Sequence, residues 1–163
     1  MQNVLFAQTP VPESVVMSLN PLYYELIWQG SKRHEFRRRF LIGQPATWFV
    51  YLTAPVSRLA AVIDLDTAIV DTPQRIAEIA ESSRVGNGAS VYKYFRDRKH
   101  GLALPIKRVR EYPGFAIDQL RNMLGTFHPP QGYLRVNANP SWVSVCEKLC
   151  SVKPTRELTV ISQ

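Results

Sequence analysis

The stretch from residue 20 to residue 40 constrains the fold of this chain more than any other. Its first half, "NPLYYELIWQG", opens on an Asn-Pro pair and closes on Gly30. Asn20 as N-cap, Pro21 in the first turn and a glycine stop predict a short helix between them. The apolar stripe expected to face the core comprises Leu22, Tyr23, Leu26 and Ile27.

The second half, "RHEFRRRF", predicts a strand over 33–40 that follows the helix at once. Side chains alternate along a strand, so one face carries His34, Phe36, Arg38 and Phe40 and is expected to point at the core. The other face carries Arg33, Glu35, Arg37 and Arg39. Like charges crowded on one face destabilise a sheet unless an anion or a carboxylate lies among them. The face is therefore either an anion-binding row or the solvated side of a half-buried sheet.

Further strands and helices follow along the chain. Apolar β-branched runs predict strands at 14–19, 47–55, 57–66 and 132–136, and "KHGLALPIKRVREY" predicts one with a bulge or edge position at Pro105. Helices are predicted in "DTPQRIAEIAESS", "ASVYKYFRDR", "FAIDQLRNML" and "NPSWVSVCEKLC", the last with Asn139 as N-cap. About six short strands with helices interspersed irregularly predict an α+β fold. We expect a small barrel of mixed or antiparallel strands with helices packed at its ends.

The charge of the chain favours a polyanionic partner. Twenty Lys and Arg against thirteen Asp and Glu give a net charge of +7 and a pI near 9.7, which points first to nucleic acid. A second basic cluster lies between residues 93 and 110, with Tyr94 and other aromatics that can stack on bases. Residues 64–81 are acidic instead. This asymmetry predicts a binding face.

Other protein classes are disfavoured. No apolar run approaches the roughly 20 residues that span a bilayer, and the first residues lack a basic leader, so we expect a cytoplasmic protein with no membrane partner. Two cysteines do not make a disulfide scaffold. Cys146 and Cys150, with His100 or His128, have poor metal-ligand spacing. No metal and no cofactor are predicted.

Several sequence motifs resemble those of one known family and occur in the same order along the chain. The stretch "MSLNPLYYELIWQGSKRHEFRRRF" resembles the opening of the ASCH domain, a branch of the PUA-like superfamily. The matching positions are Pro21, Gly30, Lys32, Glu35, Phe36, Arg37 and Arg38. "WFVYLTAPVSRLAAVIDL", "YKYFRDRKHGLALPI" and "HPPQGYLRV" resemble later segments of the domain in the same order. The resemblance covers 14–136, with an extended arm at 1–13 before it and a C-terminal helix and tail at 137–163 after it.

The resemblance implies a PUA-like barrel with a cleft that binds RNA or a nucleotide. The cleft residues that carry over from the family are Lys32, Glu35, Arg37 and Thr53. Charge adds Arg39 and, as possible nucleic-acid contacts, Lys93, Tyr94, Arg96, Arg98 and Lys99. In this hypothesis Lys32, Arg37 and Arg39 contact phosphate, while Glu35 accepts hydrogen bonds from a base or ribose.

Two alternatives stay open. Some ASCH members are amidohydrolases of N4-acetylcytidine and resemble this chain at Lys32, but they carry a threonine where Glu35 stands. Others are described as ribonucleases, for which Lys32 and Glu35 are the acid and base candidates. The third interpretation is a protein-interaction module with a basic face. The sequence leaves open the ligand, any catalysis, the oligomeric state and the roles of the C-terminal helix, Cys146 and Cys150.

Overall fold

The computed structural model describes residues 11–161, so most of the predicted N-terminal arm lies outside the described residues. The strands are β1 (Glu13–Leu19), β2 (His34–Arg37), β3 (Ala46–Leu52), β4 (Arg58–Leu65), β5 (Ile69–Asp71), β6 (Gly101–Ala116), β7 (Leu134–Arg135) and β8 (Arg156–Thr159). The helices are α1 (Pro21–Trp28), α2 (Pro73–Ser83), α3 (Asn87–Phe95), α4 (Ile117–Leu124) and α5 (Pro140–Leu149).

The strands curl into a half-barrel in the order β2-β6-β4-β3-β1-β7, and β5 and β8 also pair with β6. Among the described strands, only β1 and β3 pair in parallel, while the other pairings are antiparallel. The long β6 pairs with β2, β4, β5 and β8 and so joins the parts of the sheet. The predicted α+β fold, with mixed strands curled into a barrel and helices packed on it, is confirmed in the form of a half-barrel.

The sheet is buried on both faces. Val15, Trp48 and Ile63 lie in the core inside the curl. Val16 and Phe49, which point the other way, pack under α4 and α5. Continuous rather than alternating apolar strands are the expected consequence of burial on two sides.

Helix α1 begins and ends where the sequence predicts, but a different face docks. The Asn20 side chain accepts a hydrogen bond from the backbone N–H of Leu22 at 2.8 Å. Tyr24 and Ile27 are buried, whereas Leu22 is 77% exposed and Tyr23 is also exposed. The predicted stripe is therefore wrong at Leu22 and Tyr23. A long-range contact holds the Tyr24 face of the helix against the sheet, since the Tyr24 hydroxyl donates to Glu111 of β6 at 2.8 Å.

The C-terminal segment packs on the same half-barrel. Helix α5, capped by Asn139 as predicted, buries Trp142, Val145 and Leu149. The polar tail predicted after it forms β8 instead, which pairs with β6. Arg156 of β8 binds the carboxylate of Glu111 at 3.0 Å. No helix among residues 11–161 is long and apolar enough to cross a membrane.

Candidate functional site

A cavity of about 310 Å³ lies between β2 and the α2–α3 pair. Residues 31–36 line it from the β2 side, and Tyr23 of α1 borders it. The α2–α3 side contributes Ala80, Ser83, Arg84, Asn87, Ser90, Val91 and Tyr94. We call this the β2–α3 cavity. Its volume falls at the small end of the range of ligand sites, about 300–1,000 Å³.

A small apolar cluster holds α2 and α3 against β2 and β6. Ile76, Val91 and Phe95 are buried together, and the Phe36 ring of β2 packs against them. The turn between the helices is held by Glu81, whose carboxylate accepts hydrogen bonds from the backbone N–H groups of Gly86 and Gly88 at 3.0 and 2.9 Å. These contacts fix the far wall of the cavity.

Glu35 is buried between two cations at the edge of the cavity. Its carboxylate lies 2.9 Å from the Lys32 ammonium and 2.9 Å from the Arg37 guanidinium, and only 7% of the residue is exposed. Burial alone raises the pKa of this carboxyl, but the charges of Lys32 and Arg37 and their hydrogen bonds outweigh it, so the pKa lies below its ordinary value of 4.5. Glu35 is therefore an ionised carboxylate with cations on both oxygens.

The predicted orientation of β2 is reversed. Arg37 donates a hydrogen bond to the Ser18 carbonyl of β1 at 2.9 Å, and its guanidinium lies 5.8 Å from the Trp48 ring centroid. The Glu35–Arg37 face thus points into the half-barrel, and the Phe36 face is covered by α2 and α3. The alternation predicts which residues share a face, but the position of a helical pair 40 residues later decides which face points inward.

The predicted row of arginines does not form. Strand β2 ends at Arg37, and Arg39 lies exposed beyond it. Arg38 donates two hydrogen bonds to the Tyr94 carbonyl, at 3.1 and 2.9 Å, and its guanidinium lies 4.2 Å from the centroid of the Tyr94 ring. This contact with α3 accompanies the bend that takes Arg38 and Arg39 out of the strand.

The structure brings only some of the predicted site residues together. Lys32, Glu35 and Tyr94 line the cavity, whereas Arg37, Arg39 and Thr53 do not. Thr53 is a turn residue whose carbonyl accepts from Val56 at 3.1 Å. The other candidates are exposed on α3 and the turn after it, outside the cavity lining: Lys93, Arg96, Arg98 and Lys99.

Sequence reasoning missed the contribution of α2 and the start of α3. Ser83, Arg84, Asn87 and Ser90 line the cavity, but they occur in a polar helix end and a turn, where such residues are ordinary. No local pattern distinguishes them.

Cys146 has poor sequence spacing for a metal ligand. It is buried under β4 and β6, and burial raises the pKa of its thiol to about 12. Among residues 11–161, no group of three or more His, Cys, Asp or Glu side chains is placed to hold a metal ion.

His34 lines the cavity as a neutral side chain. Burial, reinforced by the positive charges of Lys32 and Arg33, lowers the pKa of its imidazole to about 4 from the ordinary value of 6.5. Its Nδ1 is buried and has no hydrogen-bond partner in the structure. The cavity therefore contains an imidazole that carries no charge near neutral pH.

We expect the His34 imidazole to remain neutral from pH 8 down to about pH 5. The unfolded chain binds this proton near pH 6.5, so His34 contributes stability above that pH and loses it progressively as the pH falls toward 4. NMR titration of the imidazole carbon-bound protons, assigned with His34→Gln, measures the pKa. A midpoint near 6.5 would contradict the burial described above.

Comparisons with known proteins bear on the fold. No family model matches the sequence, and no curated protein matches it. The structure is similar to the crystal structure of ASCH from Zymomonas mobilis, with a TM-score of 0.66 and 22% identity over 84% of this chain and 95% of that chain. Two mutants of the same protein match with TM-scores of 0.66 and 0.67, at 22% and 23% identity, over 84% and 86% of this chain and 98% of theirs. The family resemblance read from the sequence motifs is thus confirmed in three dimensions at the level of the fold. The chain has the PUA-like fold of ASCH proteins.

Proposed function

We propose that this protein binds RNA or a nucleotide, with one nucleoside unit held in the β2–α3 cavity. The observation that carries the proposal is the composition of that cavity. Lys32, held at 2.9 Å from Glu35, supplies ammonium donors, and the Ser83 and Ser90 hydroxyls of the cavity lining supply acceptors. The Lys32 ammonium lies 5.9 Å and 5.5 Å from the ring centroids of Tyr23 and Phe36. A nucleoside presents the complementary features, namely a flat π-face and polar edges.

The size of the cavity limits what enters it. About 310 Å³ accommodates a single small guest, since ligand sites run from about 300 to 1,000 Å³. A polynucleotide must therefore remain on the surface and insert one unit at a time. The proposal thus separates a cavity for the nucleoside from a surface for the chain.

A basic surface adjoins the cavity. It consists of the exposed residues Arg38, Arg39, Lys93, Arg96, Arg98 and Lys99. Within the described chain, none of these six cations lies within 4.0 Å of a carboxylate. Arg38 joins this surface to the cavity because it binds Tyr94, which lines the cavity. Unpaired exposed cations beside a pocket suit a phosphate backbone.

Binding is favoured over catalysis by the state of Glu35. A general base near neutral pH needs a pKa close to 7, and the cations on both oxygens hold the pKa of Glu35 below 4.5. Arg37 in this proposal positions Glu35 and does not contact phosphate. The hydrolase alternative retains one specific support, which is that Lys32 and Glu35 both line the cavity.

We expect affinity for single-stranded RNA to fall steeply with salt. If about four phosphates contact the basic surface, the slope of log K against log salt is about −2.8, which is roughly a 50-fold loss between 50 and 200 mM. Fluorescence anisotropy with a labelled 12-nucleotide RNA measures this slope. The triple variant Arg96→Ala, Arg98→Ala, Lys99→Ala should make the slope shallower by about 2.

A matched control removes charge elsewhere. Arg121 of α4 and Lys148 of α5 are exposed, and their helices pack on the other face of the sheet. The double variant Arg121→Ala, Lys148→Ala should keep the slope of the unmodified protein. An affinity that is flat with salt, or an equal effect of both variants, contradicts the role of the basic surface. Turnover of N4-acetylcytidine or of labelled RNA that disappears in Lys32→Ala would instead favour the enzyme alternative.

A further inference from the structure

We infer that Arg33 and Arg84 form an anion subsite inside the β2–α3 cavity, so that the bound nucleotide carries a terminal phosphate within the cavity. The inference rests on the proposed function and narrows it from a nucleoside unit to a phosphate monoester. It is carried by the charge balance of the cavity and by the hydrogen-bonding state of Arg84.

The charges that line the cavity do not cancel. Among the described residues, four ionised side chains line it: Lys32, Arg33, Glu35 and Arg84. Lys32 is paired with Glu35 at 2.9 Å, and the other oxygen of Glu35 is taken by Arg37. Across residues 11–161, no carboxylate lies within 4.0 Å of the guanidinium of Arg33 or Arg84. Two positive charges are therefore left for a guest to neutralise.

Arg84 lies at the C-terminal end of α2, where its guanidinium is only partly satisfied. One nitrogen, Nη2, donates to the Asn87 side chain at 3.0 Å, while Nε is buried and has no hydrogen-bond partner within residues 11–161. The Ser83 and Ser90 side chains line the same wall, and neither hydroxyl is committed to a hydrogen bond in the described structure. Arg guanidinium and serine hydroxyl groups are the donors that bind phosphate oxygens.

Arg33 reaches the cavity from the segment before β2. Its carbonyl accepts a hydrogen bond from the backbone N–H of Ile106 at 2.9 Å, which fixes the backbone there. The guanidinium itself makes no hydrogen bond in the part of the chain that the structure describes. Arg33 and Arg84 therefore line one cavity from separate elements, each with donors that make no hydrogen bond among the described residues.

The backbone N–H groups at the start of α3 are not available to bind the anion. The backbone N–H groups of Gly86 and Gly88, which a phosphate would otherwise use at a helix start, are taken by the carboxylate of Glu81. The subsite is therefore built from side chains. A phosphate monoester carries about −1.5 to −2 charge at pH 7, which matches two unpaired guanidinium groups better than the single charge of an internal phosphodiester.

The test compares nucleosides with their 5′- and 3′-monophosphates by isothermal titration calorimetry. We expect the better monophosphate to bind about 10- to 100-fold more tightly than its nucleoside, which is the effect of one or two charge-assisted hydrogen bonds. In the double variant Arg33→Gln, Arg84→Gln, this advantage should disappear while the affinity for the nucleoside changes less than about threefold. Arg75→Gln, an exposed change on α2 outside the cavity lining, is the matched control and should keep the advantage.

Two further measurements include results on the unmodified protein, which do not depend on how a variant folds. Inorganic phosphate should compete with the monophosphate on the unmodified protein, and the competition should be lost in either single variant. Short RNAs with a 5′-phosphate, a 3′-phosphate or only hydroxyl ends show whether the phosphate comes from a free nucleotide or from an RNA end.

Each outcome separates the inference from the proposed function. Equal affinity for nucleoside and monophosphate overturns the anion subsite and leaves nucleoside binding in place. An advantage that survives the double variant, or phosphate that does not compete, also overturns the subsite. If neither nucleosides nor monophosphates nor RNA bind, the proposed function fails with it.

Discussion

Glu35→Ala should lower the free energy of unfolding by about 3–5 kcal/mol, the cost of breaking a buried ion pair by removing one partner. The two cations on Glu35 are themselves largely covered, since the side chains of Lys32 and Arg37 are 12% and 19% exposed. Without the carboxylate, both positive charges remain in a low-dielectric site with lost hydrogen bonds. Urea denaturation followed by circular dichroism measures the loss.

Two variants define the origin of this effect. Glu35→Gln keeps the shape and one acceptor, so it should cost less than Glu35→Ala yet still destabilise because the neutral amide does not offset two cations. Glu78→Ala removes a carboxylate that is 60% exposed and pairs with Arg75 at 3.5 Å. Surface pairs of this kind contribute about 0–1 kcal/mol, so the control should stay near the unmodified protein.

The cost of Glu35→Gln should also depend on pH. The folded pKa of Glu35 lies below the ordinary 4.5, so the unfolded chain takes up this proton first as the pH falls. The contribution of the ionised carboxylate is therefore complete above about pH 4.5 and decreases below it. The difference in the free energy of unfolding between the unmodified protein and Glu35→Gln should shrink from pH 5 toward pH 3. A Glu35→Ala protein as stable as Glu78→Ala would contradict the buried triad.

Gly114→Ala should destabilise the fold by several kcal/mol, because it combines two separate costs. Gly114 has φ of +71°, a conformation in which a residue with a Cβ is strained by about 1–3 kcal/mol. An added Cβ also overlaps the Leu59 carbonyl oxygen of β4, and overpacking costs about another 1–3 kcal/mol.

The position of Gly114 in the β4–β6 pairing explains why the clash cannot be relieved by a small side-chain movement. Where β4 pairs with β6, Leu59 lies opposite Phe115 and Ala61 opposite Glu111, so the segment Tyr112–Gly114 bulges opposite a single residue, Ala60. The three atoms nearest to the added Cβ are backbone atoms of Leu59 and Ala60 in β4, so the bulge must open to relieve the clash. Thermal and urea unfolding measure the change. Gly132→Ala, where an added Cβ meets nothing within 4 Å and φ is not positive, is the control and should be nearly neutral. Equal stability of the two variants would contradict the close β4–β6 approach.

The sequence predicts a structural feature correctly where the interactions that form it involve residues close together in the chain. The Asn-Pro starts of α1 and α5 predicted Asn20 and Asn139 as N-caps, and both side chains accept the expected hydrogen bonds because a cap is formed within three residues. The apolar runs predicted β1 and β4 to within one residue and β3 to within three. Strands β5 and β8 were missed because their short sequences become strands only by pairing with β6.

The candidate site also contains some residues that the sequence predicts and others that only the tertiary structure brings in. Lys32, Glu35 and Tyr94 were named from sequence and line the cavity, whereas Arg84 and Ser90 were not named and also line it. The error about Arg37 has a definite cause. Period-two alternation is the same whichever face is buried, and only the packing of Phe36 against α2 and α3 decides the matter.

The sequence by itself determined the starts of α1 and α5, the main strands and the strong basic character of this protein, since each depends on neighbouring residues or on composition alone. Only the tertiary structure decided that Glu35 is buried between Lys32 and Arg37 while Arg33 and Arg84 share a cavity. These contacts join residues up to about 50 positions apart, and their free energies depend on burial that exists only after the sheet has curled and α2–α3 has packed on β2.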